Sequence, residues 1–246
     1  MTAPAREPHA ARPRRRPLRR ALGAVALVVV TVAAATSCAT AGEPLSAGTT
    51  APAMAPSPLW PGRPPAPTPS GAQHDDVTAT RVPGVPEVPS GDIRKVDAYA
   101  VVKAEVAAHR HDVTGADGLD EATADKIMSC SEEAGDCPVR APVHRDLTGD
   151  GRDDLIVGIE MGDHLLGLRC YTLVKGVLTR IMATIVQPSS IEIAGRDLIV
   201  WEPSATPHYA VRSVYSWDSH RQYMDLKSDE IRRTDITSGP PAPEPS

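Results

Sequence analysis

The chain has 246 residues, a formal net charge of −5 and no Phe, and 25 of its residues are Pro. Ahead of Cys38 stand seven Arg and one Glu, so that leader carries +6 and the remainder must carry −11 to give −5. An acidic remainder of this size suits neither nucleic acid, whose recognition rests on neutralising phosphates, nor anionic lipid headgroups, so no nucleic-acid partner is expected.

The leader comes first in chain order. Its arginines are followed by residues 21–35, which carry no charge, and a basic stretch before an apolar one is the pattern of an export signal. Fifteen residues fall short of the ~20 that span a bilayer as a helix. Ala35, Thr36, Ser37 and Cys38 follow directly and resemble a bacterial lipobox, with Ala35 where that family usually carries Leu. The resemblance implies that residues 1–37 are a lipoprotein signal peptide. It also implies that Cys38 becomes an acylated (palmitate-type) N-terminus and that the chain sits lipid-anchored on the extracytoplasmic face of the cell membrane. Two alternatives stay open: plain secretion after Ala39-Thr40-Ala41, and an uncleaved anchor helix. Arg15-Arg16 and Arg19-Arg20 lack the surroundings of a twin-arginine signal.

Residues 38–91 are expected to be a disordered Pro/Ala-rich linker. Twelve Pro fall between residues 39 and 91, and such a composition buries too little apolar surface to offset its ordering entropy. Trp60 and His74-Asp75-Asp76 are read as solvated linker residues, and the Val-Pro repeat over residues 81–89 (RVPGVPEVP) as more linker.

Residues 92–237 change character and are expected to form one α+β extracellular domain, with 238–246 a disordered tail. Asp92 can cap a helix whose apolar side holds Ile93, Val96, Tyr99, Val102 and Val106, and residues 120–129 predict a second short helix. Past Pro142 the period becomes that of strands. Seven are expected, over 155–161, 168–174, 177–186, 190–193, 198–202, 210–217 and 222–226. Short links between them predict an antiparallel meander, whose buried face holds Leu178, Met182, Ile191, Ile193, Leu198, Val200, Val211 and Tyr215.

One stretch, residues 146–158 (DLTGDGRDDLIVG), can carry ion chemistry. Acidic oxygens on a glycine-jointed loop suit a hard cation that takes six to eight oxygen ligands. The stretch resembles the FG-GAP or VCBS-type calcium loop of integrin-like propellers. That resemblance implies a Ca²⁺ site with ligands from Asp146, Thr148, Asp150, the backbone carbonyl of Arg152, and Asp154, with Asp153 turned away. Thr148 replaces the usual Asp or Asn. The plainer alternative is a metal-free turn, since aspartate suits turns.

Of the remaining cysteines, Cys130 and Cys137 are expected to form a disulfide, with Cys170 a buried thiol, although a bond from Cys170 to either stays open. The histidines form no ligand pattern, and neither HExxH, GxSxG nor a phosphate-binding glycine loop is present, so an enzyme is not expected. Trp201, Tyr209, Tyr215, Trp217 and Tyr223 are read as sheet core and cross-strand pairs rather than a binding platform.

The layout as a whole resembles the CseA-type cell-envelope lipoproteins of Streptomyces. It rests on the lipobox at residues 35–38, the loop at 146–155 and the hairpin at 215–223. The resemblance implies a tethered binding or regulatory domain that modulates an envelope stress response through a sensor-kinase ectodomain or a cell-wall component. A calcium-dependent adhesive or glycan-binding module is the alternative, and a secreted hydrolase the third.

Overall fold

The computed structural model describes residues 54–68, 78–109, 118–130 and 136–234. The expected signal peptide, Cys38, the His74-Asp75-Asp76 triplet and the expected tail lie outside them. No helix among the described residues is long and apolar enough to cross a membrane.

Among the described residues ten strands build two five-stranded sheets, all antiparallel. The strands are β1 (Ser57–Pro58), β2 (Thr80–Arg81), β3 (Val143–Arg145), β4 (Asp154–Glu160), β5 (Leu166–Val174), β6 (Val177–Val186), β7 (Ser190–Ala194), β8 (Asp197–Pro203), β9 (Tyr209–Asp218) and β10 (Tyr223–Arg233). One sheet runs β2-β6-β5-β4-β3 and the other β1-β7-β8-β9-β10. The chain therefore meanders through β3 to β6, crosses over, and meanders again through β7 to β10. The crossing falls at Gln187-Pro188-Ser189. Pro188 has no N–H to continue a ladder, while the Gln187 amide donates to Glu202 Oε1 (2.6 Å) and the Ser189 amide to the Trp201 carbonyl (2.7 Å), which starts the second sheet.

Two helices, α1 (Ala98–Ala108) and α2 (Glu121–Ser129), cover the first sheet. Asp97 caps α1 by accepting from the amides of Tyr99 and Ala100, and Asp120 caps α2 by accepting from that of Thr123, as short side-chain acceptors do at exposed helix starts. Asp92 caps only a single 3₁₀ turn, Ile93–Lys95. The expected helix from Asp92 is thus split in two, because Val96 and Asp97 are extended.

The layers are helix, sheet, sheet, and the central sheet is buried on both faces. Strand alternation sends Leu155, Val157, Ile159, Tyr171 and Leu173 towards Val101, Val102, Val106 and Ile127 of the helices. Ile156, Leu166, Leu168 and Cys170 go the other way, onto Ile191, Ile193, Leu198, Val200 and Tyr215 of the second sheet. In this sheet strict alternation fails once, in β6. Cys170 pairs with Met182 but Tyr171 with Arg180, leaving Ile181 as an extra residue. That bulge turns Leu178 to the helix side and Met182 to the sheet side, so the two do not share a face. Val211 is only half-buried.

Residues 54–68 and 78–91 correct the expectation of a disordered linker, because they are bonded parts of the domain. Ser57 and Pro58 pair with Ile193 and Glu192, Thr80 and Arg81 with Arg180 and Thr179, and Val82 is 2% exposed. Trp60, expected to be solvated, lies flat on Gly158, where a Cβ would come within 2.9 Å of its ring, and its indole N–H donates to the Ala141 carbonyl at 3.0 Å. The Arg63 side chain donates to Glu160 (3.0 Å) and to the carbonyls of Pro188 (2.8 Å) and His164 (2.7 Å), clamping the crossover. Proline-rich chain is at home on sheet edges, where a missing N–H leaves no ladder bond unmade.

Candidate functional site

The loop between β3 and β4 packs as a turn braced by its own carboxylates. Asp146 accepts from the amides of Gly149 (2.6 Å) and Gly151 (3.0 Å). Asp154, at the start of β4 and 1% exposed, accepts through Oδ2 from the amides of Leu147 (2.8 Å) and Thr148 (2.9 Å). Leu147 is fully buried and plugs the loop into the core between the sheets. Asp150 is exposed and holds the guanidinium of Arg152 through Oδ2 at 3.0 and 2.8 Å, while its Oδ1 takes the Arg152 amide at 2.9 Å. Asp153 turns outwards to Arg94. Gly149 sits at φ +79° with the Arg196 guanidinium against it, so close that a Cβ would overlap Nη1. Glycine is required there on both counts.

As a calcium cage the loop would have to draw on oxygens that already brace the turn. A calcium ion asks for six to eight oxygens. Both oxygens of Asp146 already take amides, those of Asp150 take Arg152, and Oδ2 of Asp154 takes two amides. Asp154 Oδ1 and Thr148 Oγ1 are buried and take no hydrogen bond. Among the described residues no three His, Cys, Asp or Glu side chains group so as to hold an ion. Arg152 and Arg94 pair with Asp150 and Asp153 of the loop. Burial raises the pKa of Asp154, against the opposing pull of Thr172, of Thr148 and of the two amides. Its Oδ1 is buried with no hydrogen-bond partner.

A second cluster lies between α1 and the central sheet. Glu105 is 2% exposed and receives Arg169 (2.9 Å), Arg180 (3.0 Å) and the Tyr171 hydroxyl (2.6 Å). Burial, followed by the Glu105 charge, pushes the Tyr171 hydroxyl far above the usual tyrosine range. This cluster was not anticipated from the sequence. The signal for it was a glutamate on the apolar stripe of α1 beside Val101, Val102 and Val106, and an arginine inside each of two apolar strands.

Cys130 and Cys137 form a disulfide, and Cys170 is a buried thiol whose pKa is driven up by burial and the Asp154 charge. Lys103 of α1 donates to the Cys130 carbonyl at 2.5 Å, tying the bridge to the helix. His144, His164, His208 and His220 stand on separate elements. Trp217 packs on the intersheet core to which Tyr215 belongs, and Tyr223 is 7% exposed. Trp201 donates to Glu192 at 3.3 Å with Arg212 over its ring. Tyr209 is the exposed member of the aromatic group, at 39%.

The Val-Pro repeat forms an open groove against α1 of about 470 Å³. Val85, Pro86, Val88, Ala100 and Val101 give it apolar walls, and Glu87, Lys95 and Asp97 a charged rim. Val88 donates its amide to the Gly176 carbonyl (2.7 Å), which fixes the outer wall to the β5–β6 turn.

No family model matches this chain, and no curated protein or solved structure matches it.

Proposed function

We propose that the protein is a membrane-anchored extracytoplasmic lipoprotein whose β-rich domain acts by binding a partner, not by catalysis. The observation that carries this reading is the Cys130–Cys137 disulfide, because structural disulfides belong to oxidising compartments. The export pattern ending in Cys38 supplies the route there. Partner contact is assigned to the groove between residues 84–90 and α1. By its layout the partner would be an envelope component, a sensor-kinase ectodomain or wall material, through which the domain modulates an envelope stress response.

The test is fractionation of cells carrying the native chain or Cys38→Ala. Two or more acyl chains at ~0.8 kcal/mol per buried CH₂ hold a protein on a bilayer far longer than one chain does. The native chain is expected in the membrane fraction, and Cys38→Ala in the medium or as unprocessed precursor. Native protein found in the medium with Gly42 at its N-terminus would end the lipoprotein reading.

A second reading, a calcium-dependent adhesive module of FG-GAP-like kind, is favoured by one observation: Asp154 Oδ1 and Thr148 Oγ1 are buried oxygens without hydrogen bonds at the base of an acidic loop. It requires an ion to displace Arg152 from Asp150.

A further inference from the structure

We infer that β10 is a dimerisation edge, and that two copies of this chain join β10 to β10 about a two-fold axis at Asp229 to make one continuous ten-stranded sheet. β10 is the last strand of its sheet and the longest of the ten, at 11 residues. Among the described elements it bonds only to β9, so its other edge offers a row of backbone donors and acceptors. An edge of that length can pair with another chain, and this one carries a bulge and charges, so only a partner that matches them can join it.

The side chains say which chain. The ladder to β9 shifts between Leu226 and Ser228, leaving Lys227 as a bulged extra residue. Leu226 pairs with Tyr215 and Ile231 with Val211, so both point to the face that looks at the other sheet. Asp225 pairs with Ser216 and Arg232 with Ala210, so both point to the outer face. The bulge matters here. Without it Leu226 and Ile231, five apart, would lie on opposite faces.

An antiparallel pair related by a two-fold axis needs facing residues on the same side of the sheet. With the axis at Asp229 and Lys227 left bulged in each copy, Leu226 faces Ile231 of the second copy and Asp225 faces its Arg232. Glu230 comes beside Ser228 and the bulged Lys227. Each match occurs twice by symmetry. Leu226 and Ile231 are 37% and 68% exposed, and both belong to the small set of exposed large apolar residues of the described chain. The charged positions, spaced D-x-K-x-D-E-x-R-R from Asp225 to Arg233, complement themselves on reversal. A strand made only to repel neighbours has no need of that order. The register contains one repulsive contact, Asp229 against its own copy, although Ser213 also donates to that carboxylate at 2.9 Å.

The experiment is sedimentation of the full chain in density-matched detergent over a concentration series. Native protein is expected to reach twice its monomer mass. Opposite charges facing one another across strands stabilise the pairing and like charges weaken it, and each substitution acts twice. Arg232→Asp should therefore weaken the dimer about tenfold or more, and adding Asp225→Arg should restore it. Asp229→Asn should tighten it, and Asp229→Cys should cross-link the two chains under mild oxidation. Asp225 and Arg232 lie on the outer face, away from the core, and circular dichroism confirms that each variant is folded. A native chain that stays monomeric overturns the inference. So does a dimer indifferent to Arg232→Asp, or one that the charge exchange fails to rescue.

Discussion

Asp154 occupies a position where a carboxylate is useful for its shape and costly for its charge. Oδ2 satisfies two loop amides, while burial raises the pKa from 3.8. A carboxyl that holds its proton more tightly when folded contributes stability below its unfolded pKa, and that contribution is lost as pH rises through the folded value. Asp154→Asn keeps an oxygen for both amides and adds an N–H₂ facing Thr172 and Thr148. It should melt higher than the native protein at pH 7 and converge with it below about pH 3.8, the unfolded reference for aspartate. Asp154→Ala leaves the amides of Leu147 and Thr148 without partners and should cost ~2 kcal/mol or more, at ~1–3 kcal/mol for each buried orphan. Thermal melts against pH read both. The same melts in millimolar Ca²⁺, Mg²⁺ or chelator should be unchanged, since guanidiniums already meet the loop's charge. A calcium-dependent rise abolished by Asp150→Ala would move the assignment to the adhesive reading.

At the scale of elements, Glu105 fastens α1 to the central sheet. Its carboxylate takes bonds from two strands, through Arg169 and Tyr171 of β5 and Arg180 of β6. Breaking a buried ion pair by removing one partner typically costs ~3–5 kcal/mol. Glu105→Ala is expected to lose that much in urea titration, and Glu105→Gln, which keeps the acceptor, less. A loss below ~1 kcal/mol for the alanine variant would show that the helix docks by apolar contact alone. The Glu105 cluster also shows where sequence reading stops. The seven principal strands and both helices were legible because they are runs of one period bounded by Gly, Pro and Asp. The β6 bulge was not, since an inserted residue leaves no mark in the alternation until the partner strand is known. Nor was the pairing of Glu105 with Arg169 and Arg180, more than sixty residues apart in sequence. In the acidic loop the sequence displayed the right oxygens, but which of them face inward depends on whether amides and arginines reach them first. The Arg196 guanidinium that lies against Gly149 comes from the β7–β8 turn of the other sheet.

The whole domain begins earlier than its composition indicates. Among the described residues, bonding to the sheets begins at Ser57, so the Pro-rich chain before Asp92 contributes two edge strands, the Trp60 ring on Gly158 and the Arg63 clamp on the crossover. Composition misleads here because ordering entropy was weighed against this segment's own apolar content, whereas the surface it buries belongs to the sheets it crosses. A paired truncation separates the two boundaries. A chain starting at residue 54 should melt with the same midpoint as the full chain. A chain starting at residue 92 loses Val82 from the core, the Trp60 contact and the Arg63 clamp, and with them the outer wall of the groove. Each buried apolar side chain contributes ~1.5–3 kcal/mol, against a total stability of ~5–15 kcal/mol for a typical domain. The shorter chain should therefore be strongly destabilised, unfolding at much lower urea or failing to accumulate. Equal midpoints for the two truncations would return residues 54–91 to the role of tether and place the domain's entire stability in the sheets and helices that follow.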